Sequence, residues 1–125
     1  MLADSTAVAT VAVKDLDAAR RFYGGTLGLP EIGRQGEEVA IYRSGNSTVN
    51  VYRSEFAGTN KATAVTWSVG DQLDDMVAAL KSKGVRFERY DMPGATMAGD
   101  VHVFGEVRVA WFKDPDGNIL NLINR

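Results

Sequence analysis

His102 is the chain's single histidine, and Glu106 follows it at an i,i+4 spacing that on a helix would put two metal ligands on one face. The flanking Val101, Val103 and Val107 predict a strand instead. In a strand that spacing covers roughly 13 Å, too far to chelate one ion. A facial triad for oxygen activation needs two histidines and a carboxylate. Symmetric pairing of two chains would not help, because it creates two equivalent sites with one histidine each. The absence of cysteine removes disulfides, thiolate nucleophiles and cysteine-based zinc sites. No Gly-x-Ser-x-Gly nucleophile elbow occurs either. Imidazole can act as a general acid or base near neutrality, so His102 is one candidate for proton transfer, with a purely structural histidine as the alternative. Tyr52 and Tyr42 are phenols that could donate to a ligand, though tyrosine is also a common strand residue. The neighbouring acids Glu37-Glu38 and Asp74-Asp75 point in different directions on a strand or helix and do not converge as catalytic pairs.

The elements that must position such groups emerge from an internal repeat. At an offset of 56 residues Val13 matches Val69, Asp15 matches Asp71 and Gly28 matches Gly84. Each half thus predicts a strand, an acidic helix cap, a helix and a closing glycine in the left-handed region. Leu16, Ala19, Phe22, Tyr23 and Leu27 form the apolar stripe of the first helix, and Leu73, Met76, Val77 and Leu80 that of the second. Alternating segments around Val11/Val13, Val39/Ile41, Val49/Val51, Val65/Val69, Val107/Val109 and Leu120/Leu122 predict strands. Ser44-Gly45-Asn46-Ser47 and Asp114-Pro115-Asp116-Gly117-Asn118 predict two hairpin turns. Residues 90–99, with Met92, Pro93, Gly94 and Met97, form the one long irregular stretch and are a candidate lid.

The run Val11-Ala12-Val13-Lys14-Asp15-Leu16, then Arg21-Phe22-Tyr23 and Leu27-Gly28-Leu29, and the closing Trp111-Phe112-Lys113-Asp114-Pro115-Asp116-Gly117-Asn118 resemble the vicinal oxygen chelate superfamily. That superfamily includes glyoxalase I, extradiol dioxygenases, fosfomycin-resistance enzymes and bleomycin-binding proteins. The resemblance implies an α+β fold: two βαβββ modules forming a cup-shaped mixed sheet with helices outside. It implies a single domain over residues 1–125, module one about 1–56 and module two about 57–125. It also implies four inward positions where metal-dependent relatives generally place His, Gln or Glu. Here those positions are Val8, Asn50, Ala64 and Asn121, none ionisable, and a neutral amide oxygen is a weak partner for a divalent ion. No metal or other cofactor is therefore expected.

If Val49, Val51, Val65, Trp67 and Val69 face the helices, then Thr10, Thr48, Asn50, Tyr52, Thr66, Ser68 and Asn121 face the opposite way. The expected ligand-binding set is Thr10, Thr48, Asn50, Tyr52, Thr66, Trp111 and Asn121. Amides at 50 and 121 can orient a ligand by paired donor and acceptor groups, or can bond to each other or to buried water. Trp111 suits an aromatic wall and a core position equally. Two functions remain. One is a metal-independent small-molecule binder, sequestering a toxic or drug-like compound as bleomycin-binding relatives do. The other is a lyase, isomerase or dioxygenase-like enzyme that uses His102 or a tyrosine such as Tyr52 in place of a metal, or recruits a metal through ligands other than those four positions.

Composition narrows the partners. With 14 basic and 16 acidic residues dispersed along the chain, no block suited to a nucleic-acid backbone exists. No apolar run approaches a membrane span. The amino terminus, Met1-Leu2-Ala3-Asp4-Ser5, lacks the features of a signal peptide, so a cytoplasmic location is expected, with a small organic ligand and, by resemblance, a homodimer.

Overall fold

β-Branched residues at alternate positions and acidic or glycine punctuation between them produce two sheets, each flanked by one helix. The computed structural model describes residues 1–125, and the chain divides into two units. Unit 1 comprises Met1–Asn60 with Pro115–Asn118, and unit 2 comprises Lys61–Asp114 with Ile119–Arg125. The fold class is mixed α+β with mostly antiparallel strand pairs.

In unit 1, strand β1 (Ala9–Val13) leads into helix α1 (Leu16–Ala19), which widens into a π-helical segment, Arg20–Thr26. Asp15 starts the helix as predicted: its Oδ1 accepts from the N–H groups of Asp17 (2.9 Å) and Ala18 (3.2 Å). The wider winding shows in the i→i+5 bond from Leu27 N–H to Phe22 O, 2.8 Å. Gly28 then turns the chain at φ +73°. Strands β2 (Glu31–Gln35), β3 (Val39–Ser44) and β4 (Ser47–Arg53) follow, in the sheet order β1-β4-β3-β2. Ser44 pairs with Ser47, so the predicted hairpin closes through Gly45-Asn46. Val11, Val13, Ala40, Tyr42, Val49 and Val51 are buried on one face of this sheet, with Leu16, Ala19 and Tyr23 buried on the helix. Sequence patterning left β2 unassigned, because Glu31-Ile32-Gly33-Arg34-Gln35 is an exposed, polar edge with a single β-branched residue.

Unit 2 contains β5 (Thr63–Ser68), a 3₁₀ turn (Gly70–Gln72), α2 (Leu73–Ser82), β6 (Phe87–Glu88), β7 (Thr96–Ala98), β8 (Val101–Phe104), β9 (Val107–Lys113) and β10 (Ile119–Ile123). The order is β5-β10-β9-β8-β7, with β6 also pairing with β9. Phe112 is completely buried, stacked on Trp67 with ring centroids 6.4 Å apart and meeting Phe87 edge-on at 5.6 Å. The fork of Arg108 grips both carboxylate oxygens of Asp74 (3.0 and 2.8 Å), tying α2 to β9. This bond holds the Asp74 carboxyl below its usual range.

Two expectations need correction here. Asp71 is not a second Asp15: it lies inside the 3₁₀ turn, and α2 begins after Gln72 with no side-chain cap. The three extra residues of tight turn rotate the carboxylate out of the capping position. Replacing Asp15 by alanine should therefore cost about 1 kcal/mol, whereas Asp71→Ala should stay within about 0.5 kcal/mol. Equal losses in urea denaturation would show that the caps are equivalent after all. The second correction concerns residues 90–99, which are not irregular throughout. Thr96–Ala98 forms an edge strand whose Met97 pairs with His102, too short for periodicity to reveal.

Candidate functional site

Strand alternation sorts the predicted site residues into two faces. On unit 1, Thr10 pairs with Asn50, and Asn50 with Ile41; Ala12 pairs with Tyr52. This face lies opposite the one carrying Val49 and Val51, so Thr10, Thr48, Asn50 and Tyr52 share it by alternation. Thr10 and Tyr52 are exposed, while Thr48 and Asn50 are half-buried. Tyr42 is on the other side: its ring is buried 6.1 Å from that of Tyr23. Burial and the Glu31 carboxylate push its phenol up, against Arg20 and Arg34. It packs in the core of unit 1, with its hydroxyl buried and without a hydrogen-bond partner.

On unit 2 a continuous row crosses four strands. Thr66 of β5 pairs with Asn121 of β10, Asn121 with Trp111 of β9, and Trp111 with Glu88 of β6. Asn121 is only 8% exposed, and its Oδ1 is buried without a hydrogen-bond partner. The Trp111 indole N–H donates to Thr63 Oγ1 at 3.0 Å, which fixes the ring and leaves its π surface as its contribution. Trp111 is half-buried, intermediate between wall and core.

Two further rings meet this tryptophan edge-on: His102 at a centroid distance of 4.9 Å and Tyr90 at 5.5 Å. His102 is completely buried. Its Nε2 accepts the backbone N–H of Tyr90 at 2.9 Å, whereas Nδ1 has no partner. A neutral imidazole carries one proton, so an accepting Nε2 puts that proton on Nδ1. His102 is thus a hydrogen-bond donor toward its surroundings, and the lone pair a general base would use is already engaged. This changes the acid–base role anticipated for it. The Tyr90 hydroxyl is likewise buried and unpartnered. Burial and the nearby Glu88 carboxylate push the phenol's ionisation up, with Lys113 opposing, which keeps the hydroxyl protonated.

At Tyr90 opens a pocket of about 290 Å³ lined by Arg89, Tyr90, Asp91, Met92, Ala95 and Met97. Met92 and Met97, expected near the lid, are both in its wall. Tyr90 as a polar member of the site was missed. It lies in the segment assigned to the lid, and only tertiary contact brings it to Trp111.

A profile of the Glyoxalase/Bleomycin resistance protein/Dioxygenase superfamily matches residues 5–122. The chain belongs to this superfamily. Solved structures of the superfamily fold superpose closely. An integron cassette protein from the mobile metagenome of the Halifax Harbour sewage outfall aligns with TM-score 0.72 and 17% identity, over 98% of this chain and 99% of that one. Lactoylglutathione lyase from Agrobacterium tumefaciens aligns with TM-score 0.71 and 15% identity, over 96% and 92%. A variant of the fosfomycin resistance protein FosX from Listeria monocytogenes, complexed with Mn(II) and 1S,2S-dihydroxypropylphosphonic acid, aligns with TM-score 0.72 and 18% identity, over 99% and 91%. These likenesses establish the fold. No curated protein matches the sequence.

The superfamily raises the question of a metal, and the donor set of this chain does not fit one. At the four positions that the resemblance marks are Val8, Asn50, Ala64 and Asn121. No three His, Cys, Asp or Glu side chains converge. The single imidazole has its lone pair bonded to Tyr90 N–H. A divalent ion held by amide oxygen alone would lack the nitrogen or carboxylate ligands that such sites need. No helix is long and apolar enough to cross a membrane.

Proposed function

We propose that this chain binds a small organic compound directly, without a metal, against the face of unit 2 that carries Tyr90, His102, Trp111 and Asn121. The observation that carries the proposal is the set of three buried, unpartnered polar atoms around Trp111: His102 Nδ1, Tyr90 Oη and Asn121 Oδ1. Each buried polar group without a partner costs about 1–3 kcal/mol, and native proteins tolerate such groups chiefly where a ligand or water completes them. The adjoining pocket, with two methionines and a tyrosine in its wall, is near the lower end of the volumes that hold small ligands. Met side chains adapt to ligands of different outline, which suits sequestration of a toxic or drug-like compound. Thr66 extends the polar row, and Thr10, Thr48, Asn50 and Tyr52 form a second polar surface on unit 1. An enzymatic role would need a proton acceptor at the site; His102 Nε2 is engaged by Tyr90 N–H, which leaves the Asp91 carboxylate in the pocket wall as the candidate.

The test combines two measurements. Elemental analysis of protein purified without chelator is expected to find no stoichiometric divalent ion; one equivalent of manganese, iron, nickel or zinc overturns the proposal. A thermal-shift screen of small organic compounds on that protein is expected to yield stabilisers, since a ligand at 100-fold its dissociation constant adds about 2.7 kcal/mol. This raises the melting temperature by several degrees for a domain of this size. Homodimerisation is part of the same proposal, supported by two exposed large hydrophobic side chains, Val8 just before β1 and Tyr52 of β4, at 40% and 38%. A purely monomeric mass by light scattering at working concentration would remove it.

A further inference from the structure

The three unpartnered atoms are not alike, and their difference says what kind of compound fits. Two are donors: His102 Nδ1–H, by the tautomer that Tyr90 N–H imposes, and the Tyr90 hydroxyl. The third, Asn121 Oδ1, accepts only. They surround one aromatic hub, since His102 and Tyr90 contact the Trp111 ring and Asn121 is its cross-strand partner. Met97, in the pocket wall, pairs with His102 across β7 and β8.

Charge decides between a neutral and an anionic ligand. Burying a carboxylate is costly unless a cation accompanies it. The pocket's one cation, Arg89, donates its Nη1 to Gly99 O at 3.0 Å. The pocket also contains the carboxylate of Asp91, and Glu88 closes the Trp111 row, paired with Lys113 at 3.4 Å. Arg89 is matched in number by Asp91, and Lys113 by Glu88, so the local balance offers an anion no net positive charge.

Resting on the proposed binding function, we infer that the site selects a neutral planar compound with a carbonyl oxygen beside an N–H or O–H, the carbonyl taken by the donors of His102 and Tyr90 and the hydrogen by Asn121 Oδ1. An aromatic amide is the simplest compound with this pattern, its ring placed against Trp111 and the methionines.

The test uses three probes of nearly equal shape at neutral pH: benzamide, benzoate and toluene, titrated by calorimetry into the metal-free protein. Benzamide is expected to bind at least tenfold more tightly than either of the others, and Tyr90→Phe to weaken it about tenfold, the worth of one neutral hydrogen bond. Nitrogen-15 spectra of the unaltered protein provide a second readout independent of any variant's folding. They are expected to show His102 protonated on Nδ1, with that proton shifting as benzamide is added. Benzoate binding as tightly as benzamide, an unchanged affinity in folded Tyr90→Phe, or a proton on Nε2 overturns the inference. So does failure of all three probes to bind. The parent proposal fails separately: if another organic compound stabilises the metal-free protein, only the inference falls, whereas if binding demands added manganese, both fall.

Discussion

Replacing Gly58 by alanine is expected to destabilise the protein by about 2–5 kcal/mol, the largest effect of alanine at any glycine of this chain. Gly58 has φ +75°, and a Cβ built there would lie 2.1 Å from the carbonyl oxygen of Asp116. The left-handed backbone alone costs alanine roughly 1–2 kcal/mol. Forcing apart two backbone segments adds about 1–3 kcal/mol, because the obstacle is a carbonyl and not the end of a flexible side chain. The 115–118 loop has little freedom to retreat. Asp116 Oδ2 accepts Lys14 N–H at 3.1 Å, and the Asn118 amide donates to Ala12 O at 2.7 Å, so displacement would break bonds at the end of β1. Gly45→Ala is the control: φ is also positive, +58°, but nothing lies within 4 Å. It should lose only about 1–2 kcal/mol. Urea unfolding that gives Gly58→Ala no larger loss than Gly45→Ala would show the close approach to be absent.

Asn121→Leu should separate binding from stability in opposite directions. Leucine keeps the forked outline of asparagine while removing an oxygen that is buried and unpartnered in the free protein. Relieving an unsatisfied polar atom is worth about 1–3 kcal/mol, less the donors' share of bonds lost with the amide. The free variant should therefore melt at the same temperature or higher. Under the proposed function its affinity for a compound found by thermal shift should fall about 10- to 100-fold, since the partner hydrogen on the ligand is left buried without an acceptor. A ligand bound equally well by Asn121→Leu would place the site elsewhere. A variant that both unfolds and loses binding would mark Asn121 as structural, with a partner in the free state.

The closing Asp-Pro-Asp-Gly-Asn motif illustrates how far local sequence reaches. Its composition announces a turn, and β9 and β10 do pair on either side of it, from Lys113 and Ile119 onward. Nothing local says that Asp116 bonds to Lys14, just past β1, or Asn118 to Ala12 within it, more than a hundred residues earlier. The same division holds for the helices. Asp15 caps as its position predicts, whereas the matching Asp71 does not, because the repeat preserves residue type but not the turn geometry that aims the carboxylate. Short edge strands such as Thr96–Ala98 escaped detection for a related reason. Three residues cannot display a period, and their conformation is imposed by pairing with β8.

What the sequence determined by itself is the local physics: the two-fold repeat, the alternation that puts Asn50 and Asn121 opposite the helix-facing valines, the superfamily motifs, and a residue inventory with one imidazole and no thiol. These depend on neighbours a few positions away and survive without a folded context. What only the tertiary structure decided is which of those residues act together. Tyr90 N–H reaches His102 Nε2 across twelve residues and so selects the tautomer. Strand register sets Asn121 beside Trp111. Hydrogen-bond direction and burial are properties of long-range packing, so the conversion of His102 from a candidate base into a buried donor could be seen only once the strands were paired.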